Sequence, residues 1–123
     1  MIKSLLLVGF GGFLGSISRF YINHTMEKLI QTPFPYGTFI ANVAGCFIIG
    51  LIYGSSLKGQ SISLDTRLFL TTGFCGGFTT FSTFSLESLN LFQNGQIFHF
   101  FIYTSLSILL GFAATFLGIL IMK

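Results

Sequence analysis

Charged side chains are scarce in this sequence: six basic and three acidic residues make up only 7% of its 123 residues. Hydrophobic residues make up 52%, and the mean hydropathy is +0.85. A soluble domain needs far more polar surface than this to cover its core. The composition therefore predicts an integral membrane protein. The few basic residues do not cluster, which excludes a nucleic-acid-binding surface.

Cysteine is also scarce, and the two cysteines, Cys46 and Cys75, both fall within apolar stretches. Neither belongs to a CxxC pair or to a Cys/His spacing, so we interpret both as small buried residues rather than as a disulfide or metal site. The sequence also lacks a Ser/His/Asp arrangement. These absences leave no basis for catalysis and predict that the protein is not an enzyme.

Four apolar stretches are each long enough to cross a bilayer as a helix. We place these helices at about residues 4–26, 37–57, 68–92 and 97–121, and we treat residues 1–123 as one all-α membrane domain. The basic residues near the helix ends divide four to two between the two sides of the membrane. This shallow bias permits insertion in both orientations.

The third stretch contains an unusual run, Gly73–Phe84, with the sequence GFCGGFTTFSTF. Three glycines fall in its first five positions, and four hydroxyl residues follow within five positions. Glycine lowers the cost of leaving helical geometry, and free backbone groups at membrane depth must be buried in protein or line a polar cavity. The run predicts a broken third helix with a functional role.

Polar residues line one face of the second helix, where Asn42 is the only amide. An unpaired amide in hydrocarbon costs several kcal/mol, so Asn42 must face a partner helix or water. Two interpretations are open: Asn42 joins two helices, or it donates a hydrogen bond to a passing anion. The fourth helix has a similar face formed by Thr104, Ser107, Gly111 and Thr115, with Tyr103 at its border.

Arg19 ends a line of small residues on the first helix, because Gly11, Gly15 and Arg19 are spaced by four and share one face. Two interpretations are open here as well. Arg19 is an anchor that reaches the headgroup region, or it forms an electropositive vestibule that concentrates anions.

Carboxylates are missing from the depth of the predicted helices: Glu27 and Asp65 fall in loops, and Glu87 lies towards the end of the third helix. The polar faces offer hydrogen-bond donors without negative charge, together with the positive edges of phenylalanine rings. This combination favours a small anion as the transported solute. A proton-coupled four-helix exporter, dependent on Glu87, and a purely structural membrane subunit remain as alternatives.

Three motifs resemble those of the Fluc (CrcB) fluoride channels: Gly11–Phe20 (GGFLGSISRF), Gly37–Gly45 (GTFIANVAG) and Gly73–Phe84. They occur in the expected order, and the resemblance covers nearly the whole chain. It implies four transmembrane helices with a broken third helix, an antiparallel dual-topology homodimer in the bacterial plasma membrane, and two fluoride pores. It also implies passive export of fluoride, which gives fluoride resistance.

The resemblance also implies roles for individual residues. The fluoride pathway would comprise Asn42, Phe81, Phe84, Ser82, Thr83, Tyr103 and Ser107, with Arg19 as the vestibule arginine. A structural Na+ at the dimer interface would be held by the backbone carbonyls of Gly76 and Thr79.

Overall fold

The structure is a computed structural model that describes residues 1–59 and 62–123. The described residues form helices and short connections, with no strand among them. In chain order the helices are α1 (Ile2–Leu29), α2 (Tyr36–Leu57), α3 (Leu64–Leu68), a π-helical segment (Phe69–Cys75), α4 (Gly76–Phe78), α5 (Phe81–Gln93) and α6 (Ile97–Met122).

Three of these helices, α1, α2 and α6, are long and apolar enough to cross a membrane. They correspond to the first, second and fourth predicted helices, which agrees with a multi-pass membrane protein. Helix α1 continues to Leu29, beyond the predicted end at residue 26. Proline is the residue that disfavours a helix most strongly, and the chain has no proline before Pro33. The helix can therefore continue past residue 26.

The third predicted helix is interrupted. It begins at Leu64, where the Ser63 hydroxyl accepts a hydrogen bond from the Thr66 N–H at 3.1 Å, and continues without a gap to Phe78. Thr79 and Thr80 then adopt extended backbone angles, and α5 begins at Phe81. The break therefore comprises Thr79 and Thr80 and is shorter than the glycine run suggests. It follows the last glycine of the run, Gly77.

The glycines of this run lie within helical segments, and two of them, Gly73 and Gly77, allow close packing against α1. A Cβ atom at Gly77 would lie 2.5 Å from the Gly12 carbonyl oxygen. In the same way, a Cβ atom at Gly11 would lie 2.6 Å from the carbonyl oxygen of Phe69. Small residues on both sides thus let the two backbones approach closely, as is common between membrane helices.

Helices α2 and α6 pack together by the same principle. A Cβ atom at Gly118 would lie 2.5 Å from the Phe47 carbonyl oxygen, and one at Gly54 would lie 2.7 Å from the Ile119 carbonyl oxygen. At one end of the molecule, Lys3 and Asp65 form an ion pair at 2.7 Å. This pair places the start of α1 beside the start of α3.

Candidate functional site

Asn42 holds the helix break by pairing with both backbone polar groups of Thr80. The Thr80 N–H donates to Asn42 Oδ1 at 2.8 Å, and Asn42 Nδ2 donates to the Thr80 carbonyl oxygen at 3.1 Å. In a continuous helix the Thr80 N–H would bond to the carbonyl of Gly76. The Asn42 side chain on α2 therefore provides the acceptor that a helical carbonyl would otherwise provide. Its amide nitrogen carries two N–H groups, and only one of them is needed for the bond to the Thr80 carbonyl oxygen.

The hydroxyl groups of Thr79 and Thr80 form hydrogen bonds with the helical segments on the two sides of the break. The Thr80 hydroxyl accepts a hydrogen bond from the Thr83 N–H at 3.2 Å and so caps α5. It also lies 3.4 Å from the Ser82 hydroxyl. On the other side, the Thr79 hydroxyl donates to the Cys75 carbonyl oxygen at 2.8 Å. The start of α5, with its backbone N–H groups, is a favourable environment for negative charge.

A groove of about 420 Å³ opens beside the break. It brings together six of the predicted site residues, namely Asn42, Gly76, Thr79, Phe81, Phe84 and Ser107. Ser107 Oγ is buried and has no hydrogen-bond partner among the described residues. Phe81 is 79% exposed, so the described residues of this chain leave that side of the groove uncovered.

An aromatic contact links the groove to Glu87, a half-buried carboxylate. The ring centroids of Phe81 and Phe84 are 5.9 Å apart, and those of Phe84 and Tyr103 are 5.1 Å apart. Tyr103 is fully buried, and its hydroxyl donates to Glu87 Oε1 at 2.9 Å. The hydroxyl of Thr38, which is also fully buried, donates to Glu87 Oε2 at 3.1 Å.

Glu87 also lines a second, polar cavity of about 450 Å³. Asparagine and glutamate side chains from α1 and α5 line this cavity with it, including Asn23, Glu27 and Asn90. Glu87 thus contacts Tyr103 on one side and lines the polar cavity on the other. The sequence pattern did not predict these contacts of Glu87. The available signal was its spacing of three residues from Phe84 on the same helix face.

The other predicted residues lie apart from the groove. Tyr103 is behind Phe84, Ser82 and Thr83 are on the first turn of α5, and Arg19 Nε donates to the Gly77 carbonyl oxygen at 3.2 Å. On α6, the hydroxyls of Thr104 and Thr115 donate to carbonyl oxygens of their own helix. Of that predicted polar face, Ser107 and Gly111 line the groove.

The part of the chain that the structure describes holds both cysteines as free thiols. Within that part, no group of three or more His, Cys, Asp and Glu side chains is arranged to bind a metal ion.

Comparisons with known proteins identify the family. The family described as "CrcB-like protein, Camphor Resistance (CrcB)" matches residues 6–119. A relative from Flavobacterium psychrophilum, named "Fluoride-specific ion channel FluC", is 46% identical over 98% of both chains. Proteins of the same name from Campylobacter lari and Azobacteroides pseudotrichonymphae are 44% identical over the full length of both chains, and 42% identical over 96% of this chain and 94% of the relative.

These relatives are named as ion channels, and the matches cover almost every residue of each chain. The resemblance inferred from the three motifs is thereby confirmed, and so is the prediction that the protein is not an enzyme. The chain belongs to the CrcB-like family of multi-pass membrane proteins.

Proposed function

We propose that this protein is a fluoride-selective channel that exports fluoride passively and so gives fluoride resistance. Three curated relatives at 42–46% identity are named fluoride-specific ion channels. The observation that carries the proposal is the helix break at Thr79–Thr80, held by Asn42 and open to a groove that contains Phe81, Phe84 and Ser107.

The groove offers an anion hydrogen-bond donors, and its described lining residues include no carboxylate. Its donors are the second N–H of Asn42 and the hydroxyl of Ser107, which is buried and has no hydrogen-bond partner among the described residues, with the ring edges of Phe81 and Phe84 beside them. The hydroxyls of Ser82 and Thr83 lie on the first turn of α5, and the Ser82 hydroxyl is 3.4 Å from the Thr80 hydroxyl. A small anion that enters would exchange its water for these groups, and a narrow path would exclude larger halides. Beyond Phe84, the pathway would continue past Tyr103.

An antiparallel homodimer is part of the proposal as the working form. Phe81 is 79% exposed at the groove, beside the extended backbone of Thr79 and Thr80. Non-helical backbone at membrane depth must be buried in protein or line a polar cavity, which favours a second copy of the chain over lipid on this side. The shallow charge bias permits the two copies to insert in opposite orientations.

A structural Na+ held by the carbonyls of Gly76 and Thr79 is part of the proposal. The residues fit such an ion because both line the groove beside the break, and the Thr80 N–H bonds to Asn42 rather than to the Gly76 carbonyl. Carbonyl oxygens are ligands that hard cations accept. The bound ion would supply positive charge near the anion path, while Asn42 and the flanking helices keep its carbonyl ligands in place.

Liposomes that contain the purified protein and are loaded with fluoride test this proposal. A fluoride electrode should record rapid efflux when a counter-ion is allowed to move, and the same liposomes loaded with chloride should release almost none. Replacing Na+ by a larger monovalent cation during reconstitution should lower the fluoride efflux. No fluoride efflux, or equal efflux of chloride, would contradict the assignment.

A proton-coupled exporter is the second candidate function, and one observation favours it: Glu87 is a half-buried carboxylate with two buried hydroxyl partners. Intramembrane carboxylates of this kind often carry protons in transporters. Such an exporter would need a pH gradient for transport. Efflux from liposomes with equal pH on both sides distinguishes the two functions.

A further inference from the structure

Arg19 contacts the broken helix directly, although 58 positions separate it from its partner. Its Nε donates to the Gly77 carbonyl oxygen at 3.2 Å, in a part-buried position. Gly77 lies in α4, one residue before the end of the helical stretch that runs from Leu64 to Phe78. Arg19 therefore donates to one of the last carbonyls of this helical stretch, which have no helical N–H partner because the helix ends at Phe78.

The bond has a clear physical role. In a continuous helix the Gly77 carbonyl would accept from the N–H of Phe81, but Phe81 is the first residue of α5. The last carbonyls of a helix carry partial negative charge, which a guanidinium stabilises. Because the guanidinium is planar and always charged, its Nε–H provides this contact in a fixed direction.

The rest of α1 brings Arg19 to this position. Gly11 and Gly15 pack against the π-helical segment and α4, and Gly12 touches Gly77 itself. Arg19 lies one turn beyond Gly15 on the same face. The line of small residues and the arginine thus form one continuous contact surface for the broken helix.

We propose that Arg19 is a positioning residue: it holds the carbonyl end of α4 so that the break at Thr79–Thr80 keeps a single geometry. This role differs from both sequence interpretations, the membrane anchor and the anion-attracting vestibule. It rests on the proposed channel function for its effect on flux, but the effect on the backbone can be measured separately.

Two Arg19 variants separate the roles. Arg19→Lys keeps the positive charge but has no donor at the Nε position, and Arg19→Gln removes the charge. Lys28→Gln is the matched control, because it removes a basic residue from the same helix, α1, outside the described contacts of the break. Hydrogen exchange of the Thr79 and Thr80 amides, followed by mass spectrometry, reports the geometry of the break in the purified protein without any transport.

We expect the Thr79 and Thr80 amides to exchange at least tenfold faster in both Arg19 variants, and at the wild-type rate in Lys28→Gln. Maximal fluoride efflux should fall at least tenfold in both variants, and neither higher fluoride nor higher ionic strength should change that ratio. An electrostatic vestibule predicts otherwise, because its effect is screened by salt and Arg19→Lys would preserve it.

Wild-type exchange in Arg19→Lys, or a flux loss that disappears at high fluoride, would overturn the proposal. Failure of the channel function itself would give a different pattern. In that case the wild-type protein would show no fluoride efflux, while the exchange rates at the break would still respond to Arg19.

Discussion

Asn42 shows how one side chain can stabilise a break in a membrane helix. Both of its polar atoms bond to the backbone of Thr80, 38 positions later in the chain: Oδ1 accepts from the N–H, and Nδ2 donates to the carbonyl oxygen. From the sequence, two roles were open for this amide. The structure shows the bond to a neighbouring element, and the proposed function adds a second role for its remaining N–H.

Replacing Asn42 by aspartate should abolish conduction. The change keeps an acceptor for the Thr80 N–H but loses the donor to the Thr80 carbonyl, which costs about 1–3 kcal/mol of stability. It also places negative charge where an anion must pass. We expect fluoride efflux to fall at least 100-fold while the folded protein still forms its dimer.

Gln93→Glu is the matched amide-to-carboxylate control for this experiment, because Gln93 is exposed at the end of α5. It should conduct like the wild-type protein. Normal efflux through Asn42→Asp would show that Asn42 has only the structural role.

Glu87 is a residue whose contacts the sequence did not predict. Its two oxygens accept from Thr38 and Tyr103, which belong to different helices, α2 and α6. Periodicity along one helix indicates which residues share a face, but it does not indicate which side chain of another helix lies opposite. That information arises only when the helices pack.

Glu87→Gln should lower the free energy of unfolding by about 1–3 kcal/mol, because the amide offers one acceptor oxygen to two hydroxyl donors. Thermal unfolding in detergent measures this loss. Glu27→Gln, on the wall of the same polar cavity, should unfold close to the wild-type temperature. If Glu87→Gln unfolds like the control, the two hydroxyl contacts contribute little to stability.

At the scale of the helices, composition predicted the apolar elements and the position of the interrupted one. The exact break was harder to predict, because glycine serves two purposes that a sequence does not separate. It lowers the cost of unwinding, and it allows close approach of another backbone. Here Gly73 and Gly77 lie within helical segments and serve the second purpose, because they pack against α1. The residues with extended backbone angles are Thr79 and Thr80.

Gly11→Ala tests the packing of α1 against the interrupted helix. The new methyl group would lie 2.6 Å from the Phe69 carbonyl oxygen and 2.9 Å from the Phe74 nitrogen, which are backbone atoms that cannot rotate away. We expect a loss of about 1–3 kcal/mol of stability.

Gly9→Ala provides the control within the same helix, because a Cβ there meets nothing within 4 Å. Alanine should be neutral at that position or stabilise the helix by up to about 1 kcal/mol. Chemical denaturation in detergent compares the two variants. Equal stability of both would contradict the tight contact between the two backbones.

At the scale of the whole molecule, one chain leaves its candidate site open. Phe81 is exposed at the groove, and the groove residues are contributed by α2, α5 and α6 together with the segment that ends at the break. Sequence patterns predicted the membrane class, whereas the homodimer came from the family resemblance alone. An isolated sequence carries no direct record of the surface that meets a second copy.

The detergent-solubilised protein should therefore have twice the mass of one chain. Light scattering combined with size-exclusion chromatography measures this mass once the contribution of bound detergent is subtracted. Phe81→Ser should shift the equilibrium towards monomer, because it removes a large exposed ring from the proposed interface. A wild-type protein that remains monomeric at all concentrations would contradict the homodimer.

An interrupted helix that is held by Asn42, beside a groove whose described lining residues include no carboxylate, should conduct fluoride passively. The most direct test is the reversal potential of the current across a bilayer that contains the protein, with a fluoride gradient, a reversed chloride gradient and equal pH on both sides. We expect the current to reverse at the fluoride equilibrium potential. A reversal that follows chloride, or a current that appears only when a pH gradient is imposed, would contradict it.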